Sequence, residues 1–207
     1  MAYLEFVTLE VPDPADAERF YAAAFGLDDR LRLQFSDAPT SGFRGFALSL
    51  VVAQPSTVDS LYSTAIEAGA KPLKPVAKSL WGYGGVVQAP DGAIWTLASS
   101  SKKDTGPATR EIDEVVLQLG AHDVPASKRF YVEHGFEVTK SYGRKYVEFS
   151  PPSCPVSLSL YTRKALAKVA GLPPAGSGSH RLVIGGDTKP FTDPDGFVWV
   201  NHDLGTQ

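Results

Sequence analysis

The sequence is short of cysteine: Cys154 stands alone among 207 residues. An intrachain disulfide is excluded, and a reducing cytoplasm suits the chain. Cys154 lies between Ser153 and Pro155 in an expected turn with no histidine near it in sequence, so it reads as a bystander rather than an activated thiolate. Blocks of basic residues are missing too. The formal net charge is −3 and the pI about 5.8, and nothing draws the chain to nucleic acid or to an anionic membrane. No apolar run approaches the length of a bilayer span. The opening MAYLEFVTLEVPD has no basic segment ahead of a long apolar one, so it does not read as a signal peptide. A cytoplasmic location is the expectation. GxSxG, Walker and dinucleotide fingerprints are also lacking, which leaves serine-type acyl transfer and nucleotide hydrolysis without support. Gly82-Tyr83-Gly84-Gly85 leads into a strand, so no helix N-terminus follows it to hold phosphate.

What is present is ordinary in bulk, with 43% hydrophobic and 21% charged residues, enough for a sizeable core. It is not ordinary in its arrangement. Leu4-Glu5-Phe6-Val7-Thr8-Leu9-Glu10-Val11 is echoed by Ile112-Asp113-Glu114-Val115-Val116-Leu117-Gln118-Leu119. Glu18-Arg19-Phe20-Tyr21 is echoed by Lys128-Arg129-Phe130-Tyr131, and a glycine follows each, Gly26 or Gly135. Ala89-Pro90-Asp91-Gly92-Ala93-Ile94-Trp95 is echoed by Asp193-Pro194-Asp195-Gly196-Phe197-Val198-Trp199. Four segments in the same order twice mark an internal duplication.

In the first copy, residues 3–11 alternate as a strand. Asp13-Pro14 supplies an N-cap and a proline at the first helical position, and Phe20, Ala24 and Phe25 form the apolar stripe. Strands are expected at 31–35 and 44–53. A helix capped by Ser56 should run to Ala70. Strands 84–89 and 93–99 close the copy around the Pro90-Asp91-Gly92 turn. The second copy opens with strand 111–120 and a helix near 124–134. Strands follow near 136–142, 145–150, 156–161, 180–185 and 197–202. Residues 171–179, rich in glycine, proline and serine, read as a flexible loop. The fold class is α+β: two tandem βαβββ modules, residues 1–99 and a shortened 110–207, joined by a linker at 100–109.

These paired segments resemble the vicinal oxygen chelate superfamily, which includes glyoxalases, bleomycin-resistance proteins and extradiol dioxygenases. The resemblance covers nearly the whole chain, once per copy. It implies curled mixed sheets around a U-shaped cleft. Alternation then sorts the side chains. Val7, Leu9, Val11, Val115, Leu117 and Leu119 should lie against helices, with Trp95 and Trp199 packed under them. Leu4, Phe6, Thr8, Glu10, Glu114, Val116, Gln118, Thr96 and Val200 should face the cleft. Phe6, Thr8, Arg32, Trp81, Tyr83, Thr96, Gln118, Tyr146, Tyr161 and His180 are the candidate ligand-binding residues, beside Ser49, Glu148, Ser157 and Ser159.

The resemblance places metal ligands at the positions of Phe6, Thr96, Glu114 and Val200, of which only Glu114 is a good ligand. A catalytic metal needs about three protein ligands. No cofactor is therefore expected. The alternative is a reduced divalent-metal site of Glu114 and His180, with Asn201 or His202 as a third ligand. Glu114 is the candidate catalytic residue, because a carboxylate beside Val115 and Val116 on a central strand is costly to bury without a partner or a role. Its bland counterpart is a buried salt bridge to Arg32 or Arg44. Two functions follow: sequestration of an aromatic or cationic small molecule without metal, as in bleomycin-resistance proteins, or an enzyme using Glu114 as general base or metal ligand. No nucleic-acid or membrane partner is expected, and the chain is compatible with a monomer or a homodimer.

Overall fold

A computed structural model describes residues 1–26, 28–80, 82–149, 151 and 154–201. Trp81 and His202 lie outside these described residues. The first half runs β1 (Leu4–Val11), α1 (Pro14–Ala24), β2 (Leu31–Phe35), β3 (Thr40–Gly42), β4 (Phe46–Val51), α2 (Pro55–Glu67), β5 (Lys71–Ser79), β6 (Gly82–Gln88) and β7 (Ile94–Ser99). The second runs β8 (Glu114–Ala121), α3 (Val124–Glu133), β9 (Lys140–Tyr142), β10 (Tyr146–Phe149), β11 (Ser157–Thr162), α4 (Arg163–Ala170), β12 (Gly176–Gly178), β13 (Leu182–Gly186), β14 (Phe191–Thr192) and β15 (Val198–Asn201). No described helix is long and apolar enough to cross a membrane.

The strands sort into an eight-stranded sheet, β5-β6-β7-β4-β8-β11-β10-β9, and a five-stranded sheet, β14-β15-β13-β1-β2. Each sheet takes strands from both halves of the chain. In the larger one, β4-α2-β5-β6-β7 is one βαβββ unit and β8-α3-β9-β10-β11 is another. They join where β4 pairs antiparallel with β8, Ser49 opposite Val116 and Val51 opposite Glu114. In the smaller one, β1 pairs antiparallel with β13 and parallel with β2. Only the isolated bridge Leu4–Val156 links the two sheets by backbone among the described residues.

The repeated motif explains how the sheets are held together. Tyr21 of α1 donates to Asp91 Oδ2 at 2.7 Å and accepts from Trp95 Nε1 at 3.3 Å. Tyr131 of α3 donates to Asp193 Oδ2 at 2.7 Å and accepts from Trp199 Nε1 at 3.2 Å. Each chain of bonds runs from a helix beginning after one sheet to the closing strand of the other. The copies differ in one respect: the acceptor is the aspartate after the proline in the first and the one before it in the second. The aspartate after the second proline, Asp195, instead accepts from His122 N and Ser127 Oγ. Around these chains Val7, Leu9, Val11, Val115, Leu117, Leu119, Trp95 and Trp199 form one buried core, the face that alternation assigns to them.

Several elements depart from the sequence reading. The cap of α1 is Asp13, as expected, and Asp123 caps α3 in the same way. Helix α2, however, starts at Pro55, one residue before Ser56, and its first turn is capped from the linker: Asp104 Oδ1 accepts from Ser56 N at 2.7 Å. Gln54 ties the same linker down, accepting from Thr105 N and donating to Pro107 O. Strand β5 contains Pro72 and Pro75 and follows no alternation. It is tolerated because it is an edge strand, with its pairing shifted at Pro72/Lys74 and Lys74/Ala77. The 171–179 loop contributes β12, paired with β3. Helix α4 was not expected at all. Thr162 caps it, and Gly171 closes it at φ 74°.

Candidate functional site

Cross-strand register fixes the inner face of the eight-stranded sheet. One row runs Glu114, Val51, Ala98, Gly84; the next runs Ser157, Val116, Ser49, Thr96, Val86; a third pairs Glu148, Ser159, Gln118 and Ala47. Helix α4 lies across one end of this face. Its Leu166, Ala167 and Ala170 are fully buried with Phe43, Ala47, Val86 and Ile94, and Tyr161 packs against the same cluster. Arg163 Nη2 donates to Phe43 O at 2.5 Å, and Lys74 Nζ donates to Lys168 O at 2.5 Å. The helix therefore fills part of the concavity, and the remainder stays open beside it as a cavity of about 330 Å³ lined by Thr96, Ala98, Val86, Lys74, Lys78 and Val169. Its walls are largely apolar. Thr96 is 8% exposed and its hydroxyl reaches Leu48 O at 3.5 Å.

On the other side of β4, the inner face is rich in acceptors. Glu114 Oε1 takes a hydrogen bond from Ser157 Oγ. That contact, not a salt bridge to Arg32 or Arg44, is what accompanies the carboxylate: Arg32 sits over Phe6, and Arg44 donates to Asp91 O at 2.6 Å. Gln118 Oε1 and Ser159 Oγ, directly opposite each other, are enclosed without a partner. Tyr146 stands edge-on to Tyr161 at 4.9 Å, and its hydroxyl donates to Glu148 Oε2 at 2.7 Å. Burial first, and then this bond to Glu148, holds the Tyr146 hydroxyl far above its usual value; burial does the same to Tyr161, assisted by Glu148. Both phenols are thus neutral donors at any physiological pH. Burial also raises the Cys154 thiol, which donates to Val156 O, so it is a poor nucleophile.

Phe6, Thr8 and Arg32 belong elsewhere. They lie on the five-stranded sheet, where Phe6 and Val200 both pair with Gly185 and Thr8 pairs with Arg32. The candidate residues divide between the two sheets: Thr96, Glu114, Gln118, Tyr146 and Tyr161 share one, Phe6, Thr8 and Arg32 the other. Alternation gives the face of a side chain but not which strand lies next to it. Tyr83, on β6, also borders the cavity beside Thr96. Its hydroxyl donates to Asp59 Oδ1 of α2 at 2.7 Å, on the helix side, and that bond is the main reason its value is pushed up to about 12. His180 is also occupied. Its Nδ1 meets Arg44 O at 2.5 Å and its Nε2 meets Asp195 O at 3.1 Å, and the ring stacks on Phe197 at 4.1 Å.

A divalent metal does not fit these residues. Both His180 nitrogens face backbone carbonyls, so neither is offered to a metal, and Glu114 is already bonded to Ser157. Asn201 Nδ2 donates to Thr188 O. Among the described residues no group of three His, Cys, Asp or Glu side chains is placed to hold a metal ion. The inner face offers hydroxyls, one amide and two carboxylates, Glu114 and Glu148, each already hydrogen-bonded to a hydroxyl, with no imidazole or thiolate among them, a donor set too weak for a transition metal.

The residues that sequence reasoning missed are those of α4 and β5: Val169, Lys74 and Lys78. The signal for α4 was present, since Thr162, Leu166, Ala167, Ala170 and Gly171 have the spacing of a capped amphipathic helix.

No family model matches the sequence, and no curated protein is similar to it. Solved structures are. The chain is similar to glyoxalase I from Zea mays over 97% of its own length and 92% of that protein's, with a TM-score of 0.65 and 14% identity. It is also similar to a putative dioxygenase from Bacillus subtilis subsp. subtilis str. 168, with a TM-score of 0.55 and 11% identity over 89% of this chain and 69% of that one. At these identities the likeness is one of fold. The chain has the glyoxalase I fold, the fold of the vicinal oxygen chelate proteins that its paired motifs resemble.

Proposed function

We propose that the protein binds a small aromatic or cationic molecule on the inner face of the eight-stranded sheet, without metal chemistry. The observation that carries this reading is one concave face that pairs an apolar cavity with unsatisfied acceptors. The cavity beside Thr96, Ala98 and Val169 takes a flat apolar body. Glu114, Gln118 Oε1 and Ser159 Oγ, on the far side of β4, take a donor or cationic group. Ala98 and Glu114 share one row of the sheet two strand spacings apart, about 10 Å, a span that one aromatic amine can bridge. The tyrosine faces of Tyr146 and Tyr161 add to the attraction for a cation.

Thermal-shift screening with aromatic amines, followed by titration calorimetry, tests this. A binder should lose affinity in Val169→Trp, which fills the cavity, and in Glu114→Gln, which removes the charge. Affinity unchanged in both would overturn the assignment. A second reading, catalysis with Glu114 as general base, rests on its bond to Ser157. Turnover lost in Glu114→Gln with affinity retained would favour it over sequestration.

A further inference from the structure

The five-stranded sheet carries a cation whose bonding is incomplete. Phe6 lies flat on its neighbour Gly185, so closely that any Cβ at that position would collide with the ring. The Arg32 guanidinium lies over the other side of Phe6, its carbon 3.4 Å from the ring centre. Backbone, ring and guanidinium form a stack. The ring occupies the face of the guanidinium and leaves its N–H edge for bonds in the plane. That edge has none: Arg32 forms no ion pair or hydrogen bond with a described residue, and its Nη1 is enclosed without an acceptor. An enclosed donor with no acceptor costs about 1–3 kcal/mol, which a ligand that bonds this edge can offset.

A cavity of about 390 Å³ adjoins the stack, lined by Glu5, Phe6, Asp28, Asp29, Arg30 and Arg32. Its charges are not all free. Arg30 Nε holds Asp28 Oδ1 at 2.8 Å. That leaves Arg32 as the uncommitted cation, with Glu5 and Asp29 lacking a cationic partner among the described residues. Two carboxylates beside one free guanidinium repel a dianion such as phosphate. A carboxylate monoanion is accepted in the bidentate geometry that the guanidinium edge offers. A positive group on the same small ligand would in turn neutralise Glu5 or Asp29.

The geometry points to a second binding site, separate from the one proposed above, for an amino-acid zwitterion: its carboxylate on the Arg32 edge, its ammonium towards Glu5 and Asp29. The stack fixes Arg32 before the ligand arrives, so less side-chain freedom is lost on binding.

Titration calorimetry on the full chain at low salt tests it with four probes: L-leucine, 4-methylpentanoate, which lacks the ammonium, 3-methylbutylamine, which lacks the carboxylate, and inorganic phosphate. Leucine is expected to give saturable heat, and each half-analogue to bind at least about tenfold more weakly, the loss of one charge-assisted contact. Arg32→Gln should bring leucine down to the level of the amine. Phe6→Leu, which keeps the charge but removes the stack, should weaken leucine as well, with the unfolding midpoint of each variant checked first. Val169→Trp, in α4 beside the other sheet, should leave leucine binding unchanged. No saturable heat from leucine up to about 10 mM, beyond the millimolar end of specific affinity, would overturn the proposal. So would leucine binding that survives Arg32→Gln, or equal affinity for 4-methylpentanoate or inorganic phosphate.

Discussion

Replacing Tyr131 by phenylalanine should be among the most damaging single-atom deletions in the protein, and more damaging than the same change at Tyr21. The Tyr131 ring is fully buried, and its hydroxyl is the middle of a three-residue chain. Its removal leaves the Trp199 N–H with no acceptor and takes one donor from Asp193, which is 6% exposed. Two buried groups left unmet cost about 1–3 kcal/mol each. Asp193 keeps the backbone donors Asp195 N and Phe197 N, so the sum falls near 2–4 kcal/mol. In the first copy, Tyr21→Phe strips Trp95 and Asp91 in the same way, but Asp91 is partly exposed and water can replace the lost donor. The cost there should be about 1–2 kcal/mol. In a domain of this size, each kcal/mol lowers the melting temperature by about 2–4 °C. Urea unfolding followed by both tryptophan fluorescence and circular dichroism gives the free energies, with coincident transitions required before they are compared. A loss at Tyr21 equal to or larger than that at Tyr131, or a loss below about 0.5 kcal/mol at Tyr131, would refute the reasoning.

Other outcomes follow from the same packing. Leu166→Ala should cost about 2–5 kcal/mol in urea unfolding, because Leu166 is fully buried on the inner face; a loss under about 1 kcal/mol would mean that α4 is not seated there. Burial raises the Asp193 carboxyl, against the pull of its hydrogen bonds to Tyr131, Phe197 and Asp195. A carboxyl raised in the folded state holds its proton more tightly folded than unfolded, so ionising it costs stability. That cost is absent below the unfolded value of about 3.9, grows as the pH climbs through the raised folded value, and is constant above it. Wild-type protein should lose stability relative to Asp193→Asn across that window, measured as unfolding free energy from acid towards neutral pH. An unchanged difference would contradict the assignment.

Much of the fold was legible because local physics dictated it. Asp13-Pro14 and Asp123 announce helices, and the alternation of Val7, Leu9 and Val11 and of Val115, Leu117 and Leu119 marks the faces that go under them. The duplicated tyrosine, aspartate and tryptophan were visible as a pattern, though not as a hydrogen-bonded chain. The candidate site was only half legible. Glu114, Gln118 and Thr96 do share a face, yet their distance from Phe6 and Arg32 depends on which strands become neighbours. That is decided by packing over more than a hundred residues, not by any local pattern. Helix α4 was hidden by the apolar run of β11 ahead of it and the glycine-proline stretch behind it.

The exchange of strands between halves also bears on how the chain acquires its shape. Strand β1 pairs with the nearby β2 on one side, but its other neighbour, β13, comes from the second half of the duplication. During synthesis that side of β1 stays unpaired until β13 has been made. Cutting the chain at the linker would separate β4 from β8 and β1 from β13, so each fragment would carry an open sheet edge made to fit the other. The duplication reads as two units in the sequence, but each sheet is assembled from strands of both. The slowest folding step is then expected to be the pairing of β1 with β13, which are far apart in sequence.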